Sequence, residues 1–314
     1  MRFGWKAIAL LGIGVLCAPA FGANPARPGT LNYIEGVARL QDKQLNVKDV
    51  GSIELNAGDV LATEEGKAEI LLTPGVFLRI DGHSAVKMIS PGLMLTQVEL
   101  LRGRAGVEVD EIYPANDVEI IDGGVATQLM KTGYYEFSAG PAVVMVFKGK
   151  AEVKTAEGKR IEVKGHRELA LVAPVSGEPA KFDTRKAEDE FYGWSRLRSQ
   201  YLAEANNQIA GEYIGVAGFY PGWYWDPYMW DYTFIGMYPY WSPFGFGFYP
   251  PWWGFYYGGG YYGHGYGGRG FGGGGPHGVE GSHGGEGGFH GGDGGSHGVG
   301  GGSGVPAGGG GGHR

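Results

Sequence analysis

Cysteine is all but missing from this chain: the only one, Cys17, falls inside the first apolar stretch. Beyond that stretch there is no disulfide and no thiol chemistry, so the fold must rest on burial of apolar surface. Lysine and arginine are absent between Arg198 and Arg269. Aromatic rings without interleaved cations can stack on bases but cannot neutralise phosphates. The net charge of −7 adds no basic footprint, so nucleic acid is excluded as a partner. An uninterrupted apolar run long enough to span a bilayer, about 20 residues, is also missing. Long helical periodicity is lacking through the first half of the chain.

What is present begins with an export signature. Arg2 and Lys6 precede the apolar stretch Ala7 to Cys17, and Ala20-Phe21-Gly22 supplies the small residues of a cleavage site. The sequence predicts a signal peptide over 1–22, cleaved after Gly22, and a periplasmic or secreted product. Gly14-Val15-Leu16 ahead of Cys17 is a poor lipidation motif.

From residue 29 to about 175, short runs alternate apolar and polar positions, as in Leu31 to Leu40, Ala68 to Leu72, Val76 to Ile80, Ala105 to Val109 and Val143 to Phe147. Turn signals such as Ala57-Gly58-Asp59, Asp81-Gly82 and Asp122-Gly123-Gly124 recur roughly every eight to twelve residues. The expected fold is all-β: a sandwich, roll or short solenoid of about a dozen strands over 29–180. Around Asp183 the period changes. Phe191, Trp194, Leu197 and Tyr201 recur at helical spacing, predicting one amphipathic helix over 183–210, capped by Asp183 or Thr184, whose aromatic stripe packs on the β domain.

The segment 211–257 is the most unusual part. Trp223, Trp225, Tyr228, Trp230, Trp241, Trp252 and Trp253 stand among other rings and Pro221, Pro227, Pro239, Pro243, Pro250 and Pro251. Three readings stay open: a platform on which sugar rings stack, a packing or self-associating element, or a membrane-interface patch. From Gly258 onward glycine dominates, and glycine loses most freedom on ordering, so 258–314 is expected to be a disordered tail. Its His277, His283, His290 and His297, with Glu280, Glu286 and Asp293 nearby, are candidate metal ligands; the plainer reading is a low-complexity spacer.

Catalytic signals are weak. Ser84-x-x-Lys87 and Lys131-Thr132-Gly133 match the outer motifs of serine penicillin-recognising enzymes, but that chemistry needs the serine at a helix N-terminus, and both fall in β-patterned sequence. His83 and His166 read as turn residues, and Asp110 and Glu111 form no recognisable acid/base pair. No enzyme and no cofactor is expected.

Within the β region, Leu55-x-x-Gly58-Asp59-x-Leu61-x-Thr63 is followed by Gly66-x-Ala68-x-Ile70-x-Leu72 and Gly75-x-x-Leu78-x-Ile80. Further on come Leu100-x-x-Gly103-x-x-x-Val107 and Val144-x-Val146-x-x-Gly149-x-Ala151-x-Val153. This order resembles the FecR-like periplasmic domain family over about residues 30–175. Gly133-Tyr134-Tyr135-Glu136-Phe137 replaces that family's usual G-T-x-F. Asp189-Glu190-Phe191-x-x-Trp194 and Trp225-Asp226-Pro227-Tyr228 are similar to exported family members of unknown function. The cytoplasmic anti-sigma region and membrane span of the iron-citrate regulators have no counterpart here, so the resemblance implies only a periplasmic interaction module.

The expected function is therefore a non-enzymatic cell-envelope interaction or scaffold protein. It binds an envelope polymer, a membrane surface, a protein partner or itself through the aromatic segment. The alternative is a periplasmic sensory or regulatory module acting by protein contact with a membrane partner.

Overall fold

A computed structural model describes residues 26–215 and 218–253. The β-patterned region folds as strands: β1 (Leu31–Leu40), β2 (Lys43–Gln44), β3 (Val60–Leu71), β4 (Val76–Ile80), β5 (Ala85–Pro91), β6 (Leu95–Arg102) and β7 (Arg104–Val109). They continue as β8 (Asp117–Asp122), β9 (Val125–Leu129), β10 (Gly133–Ala139), β11 (Ala142–Lys148), β12 (Lys150–Lys154), β13 (Arg160–Lys164), β14 (Arg167–Ala170) and β15 (Ala180–Lys181). Two helices follow, α1 (Thr184–Ala187) and α2 (Glu190–Glu212), then two ribbons, β16 (Gly222–Asp226) with β17 (Asp231–Ile235) and β18 (Tyr240–Trp241) with β19 (Gly247–Phe248).

β1 to β15 form one 15-stranded open sheet, ordered β13-β12-β9-β8-β6-β5-β3-β4-β7-β10-β11-β14-β15, with β1 on β3 and β2 on β1. Every pairing is antiparallel except β6 with β8. The bend that lets so long a sheet curl is set at β3. Its first residues, Val60 to Ala62, pair with β5, and Ala68 to Leu71 pair with β4. Between them Gly66 crosses Gly36 of β1 so closely that a Cβ on Gly36 would lie 2.0 Å from the Glu65 carbonyl oxygen. Only glycine fits there.

The expected all-β trunk is observed, with a physical detail that the alternation conceals. In the central strands both faces are buried. Ala68, Ile70, Val76, Leu78, Ile80, Val107, Val109, Tyr135 and Phe137 face the main core inside the curl. Their alternates, Glu69, Leu71, Phe77, Arg79, Gly106, Glu108, Tyr134 and Glu136, point to the opposite face, and those with side chains are buried too. That second face is covered by α2 and the aromatic segment: Leu71, Phe77, Leu202, Ala203, Tyr232, Phe234 and Phe248 form a separate core there.

The helix forms where periodicity placed it, with two corrections. It is interrupted at Glu188–Asp189, because Asp183 caps only α1 and Asp189 starts α2 afresh, accepting from the Phe191 and Tyr192 amides at 3.0 and 3.2 Å. The buried face is also not the expected stripe. Phe191 is buried, but Leu197 and Tyr201 are 43% and 37% exposed. Ser195, Arg198, Ser199, Leu202, Asn206 and Ile209 are buried instead, the first three against the sheet and Asn206 and Ile209 against the ribbons. A charged outer sheet face selects polar partners from the helix.

Among the described residues no helix is long and apolar enough to cross a membrane. The expected signal peptide over 1–22 and the Gly/His-rich tail, with His277, His283, His290 and His297, lie outside the described residues.

Candidate functional site

Buried charge fixes the aromatic segment to the trunk. Arg79 Nε lies 2.8 Å from Glu69 Oε2 and its Nη1 2.6 Å from Glu108 Oε2, all three fully buried. Arg198 of α2 enters the same layer. Its Nη2 donates to Glu69 Oε1 at 3.0 Å and to Asp231 Oδ2 of β17 at 2.8 Å, and its guanidinium lies 4.1 Å from the Tyr33 ring centroid. One side chain thus ties sheet, helix and ribbon.

The environment sets each charge. Burial disfavours the Glu69 carboxylate, but Arg198 and Arg79 outweigh it and hold the group at about 2. For Asp231 the balance goes the other way: burial raises it to about 6 despite Arg198. Asp110 is pushed well up by burial, with Glu108 beside it adding to the effect. Glu136 is raised by burial to about 7, against the pull of Arg104, which also reaches Asp189 at 2.6 Å.

Two asparagines hold β17 as though they were strand neighbours. Asn32 Nδ2 donates to the Tyr232 carbonyl at 3.0 Å, and its Oδ1 accepts from the Tyr232 amide at 2.7 Å. Asn206 of α2 donates to the Phe234 carbonyl at 3.0 Å and accepts from the Tyr249 amide at 2.7 Å. Thr233 Oγ1 donates to the Leu202 carbonyl. Because an unpaired buried backbone group costs as much as a lost hydrogen bond, these contacts keep the ribbon seated.

The aromatic segment consequently divides by role. Trp223 and Trp225, both on β16, are half-buried and turned into packing. Trp223 meets Phe77 edge-on at 4.9 Å and Phe234 at 5.6 Å. Trp225 packs on Tyr232 at 5.0 Å and lies over Gly51, where a Cβ would stand 2.6 Å from its ring. Trp252 and Trp253 are half-buried after β19. The Trp252 indole N–H donates to the Met237 carbonyl, and Trp253 stacks on Tyr249 at 5.8 Å. Trp241 is 58% exposed on β18.

Tyr228 and Trp230 belong to the turn joining β16 to β17, and here the rings point out. Asp226 Oδ1 accepts from the amides of Tyr228 and Met229, and the Asp226 carbonyl accepts from the Trp230 amide at 2.8 Å. Pro227 supplies a fixed φ at the first turn position. Trp230 closes the turn with φ +58, a left-handed conformation that favours glycine or asparagine. Tyr228 is 75% exposed and Trp230 50% exposed, with Met229 between them; the Trp230 ring leans edge-on against Trp225 at 5.3 Å. The result is an apolar tip, uncharged along 227–230, on an anchored ribbon.

Sequence reasoning found the rings but missed their anchor: Arg198, Glu69, Arg79, Glu108, Asp231, Asn32 and Asn206. A signal was present. Glu69, Arg79, Glu108 and Glu136 each interrupt a local apolar run, as in Ala68-Glu69-Ile70-Leu71 and Val76-Phe77-Leu78-Arg79-Ile80, which marks a second buried face. Ser84 immediately precedes β5 and Lys87 lies within it. Ser84 Oγ donates to the Gly82 carbonyl and accepts from the Arg104 amide, at the entry to a strand rather than a helix N-terminus. His83 and His166 do occupy turns, with φ +54 and +62. Among the described residues no cluster of metal-ligating side chains occurs.

No family model matches this chain, and no curated protein matches it. Among solved structures, two crystal structures of a "putative anti-sigma factor" from Parabacteroides distasonis are similar to part of it. One has 15% identity and a TM-score of 0.33, covering 40% of this chain and 59% of that one. The other has 14% identity and a TM-score of 0.32, covering 39% and 57%. The aligned parts span less than two thirds of those chains, and at such TM-scores neither fold nor function is carried across.

Proposed function

We propose that this is an exported, non-enzymatic cell-envelope protein of the FecR-like kind. Its curled sheet is a scaffold and its β16–β17 turn the contact surface. The observation that carries this reading is Trp230. A bulky indole is held in a left-handed conformation costing of order 1–3 kcal/mol, yet half of it faces solvent beside the exposed Tyr228. Packing alone does not call for an exposed tryptophan at that position, since glycine or asparagine would close the turn with less strain. An apolar, uncharged tip suits stacking on a polysaccharide, insertion at a bilayer interface or docking on a protein.

The test is co-sedimentation of the mature chain with peptidoglycan, insoluble polysaccharide and lipid vesicles. A Tyr228→Ser/Trp230→Asn variant is expected to lose at least tenfold in binding to the material the wild type prefers, while Leu95→Ser, at an exposed site on the trunk, binds as wild type. Equal binding by wild type and tip variant to all three materials would refute the role of the turn.

A further inference from the structure

A second site lies away from the tip. A cleft of about 270 Å³ opens between β10, β11, the α1–α2 break and the loop of the β18–β19 ribbon. Its accessible walls are the half-buried rings of Tyr192 and Phe244, set over Tyr134 and Phe147, which are 1% and 6% exposed. Tyr134 forms the floor, with its hydroxyl already engaged by Glu136 and Ser195 at 3.0 Å. Phe147, Tyr192 and Phe244 stand around it at centroid distances of 5.6, 5.5 and 4.7 Å. Three exposed polar side chains, Lys148, His166 and Glu188, ring the mouth. Among the described residues none of these three side chains has a hydrogen-bond or ion-pair partner, although a cation, an imidazole and a carboxylate converge there.

The placement of these groups follows from local structure. Phe147 and Lys148 end β11. His166, with φ +62, turns β13 into β14, and Glu188 sits where the helix is broken ahead of the Asp189 cap. The helix break that the sequence did not announce thus brings a carboxylate to an aromatic cleft.

We infer that this cleft binds one sugar unit of an envelope polysaccharide. Aromatic surface with a few convergent polar groups is the general make-up of a small-ligand site, and the half-buried Tyr192 and Phe244 rings offer that surface to the C–H face of a pyranose while the rim groups reach its hydroxyls. A lipid tail or an apolar peptide segment would make no use of Lys148, His166 and Glu188. A phosphate ligand would meet Glu188 unfavourably. Size agrees: a cavity of about 150 Å³ holds a benzene molecule, and a hexose has twice as many heavy atoms. The inference does not depend on the β16–β17 turn, because the two sites share no residue.

Saturation-transfer NMR on the mature full chain tests it, with chitotriose, maltotriose and muramidase-released peptidoglycan fragments as probes. Transfer to the ring C–H protons of at least one probe is expected. Lys148→Ala/Glu188→Ala and, separately, Phe244→Ala are each expected to weaken it at least tenfold. The rim variant changes only exposed side chains, so it reports on binding even if Phe244→Ala disturbs the ring cluster. Tyr228→Ser/Trp230→Asn is expected to leave the signal unchanged, which separates this site from the turn. No transfer to any probe, or undiminished transfer in the rim variant, would overturn the assignment.

Discussion

Replacing Arg198 with alanine is the sharpest test of how the helix and the aromatic ribbon are held. The side chain is 5% exposed and its Nη2 serves both Glu69 and Asp231, whose carboxylates have no exposure at all. Glu69 would keep Arg79 at 2.8 Å, but Asp231 would lose the one cation with which it forms an ion pair among the described residues. Breaking a buried pair by removing one partner costs about 3–5 kcal/mol, because a charge is left uncompensated. The lost contact with the Tyr33 ring adds to this. The effect should depend on pH. Asp231 already sits at about 6 through burial. Without Arg198 only causes that raise it remain, so the folded variant takes up a proton at neutral pH that the unfolded chain, near its ordinary 3.8, does not. Stability of the variant therefore keeps falling as pH rises past 6, where the wild type has levelled off with respect to this group. Urea unfolding should show a loss about 1–2 kcal/mol smaller at pH 5 than at pH 8. Adding Asp231→Asn should recover more than about 1 kcal/mol through coupling. A loss below about 1 kcal/mol at pH 8, or equal losses at both pH values, would refute the bridging role of Arg198.

Three further outcomes follow from the same structure. Gly193→Ala should stabilise the protein by about 1 kcal/mol in urea unfolding, because this α2 position is exposed and an added Cβ meets nothing within 4 Å. Asn206→Ala should cost about 1–3 kcal/mol and speed hydrogen exchange at the Tyr249 amide, which it binds at 2.7 Å. Asp122 is raised by burial from 3.8 to about 7, so the fold favours its neutral form and loses stability as pH rises from about 4 to about 7. Full conversion would give at most about 4 kcal/mol. Asp122→Asn should then flatten the stability–pH curve over that window and raise the melting temperature at pH 8, as calorimetry would show.

Much of the trunk was legible because its signals are local. Alternation in β3, β4 and β7 and the glycine turns at Gly58, Gly82 and Gly123 announce strands without any knowledge of their neighbours. The order of strands in the sheet was not legible, because β3 bends to serve both β4 and β5, and the Gly36–Gly66 crossing looks in sequence like two ordinary turn glycines. For α2 the period was visible but its inward face was misjudged. Leu197 and Tyr201 look like a buried stripe, whereas Ser195, Arg198 and Ser199 are what a sheet face bearing Glu69, Glu108 and Glu136 demands. In the aromatic segment, composition revealed apolar surface but not its direction. The split into inward Trp223 and Phe234 and outward Tyr228 and Trp230 is set by strand alternation and by the Asp226-Pro227 turn.

The reading of that split can be tested in one experiment, hydroxyl-radical footprinting of the mature protein free and bound to the envelope material it prefers. The peptide carrying Tyr228 and Trp230 should oxidise fast in the free protein and at least several-fold slower when bound, while Phe234 and Tyr232 stay slow in both states. Equal oxidation of Tyr228 and Trp230 in the free and bound protein would show that the turn is not the surface that makes contact.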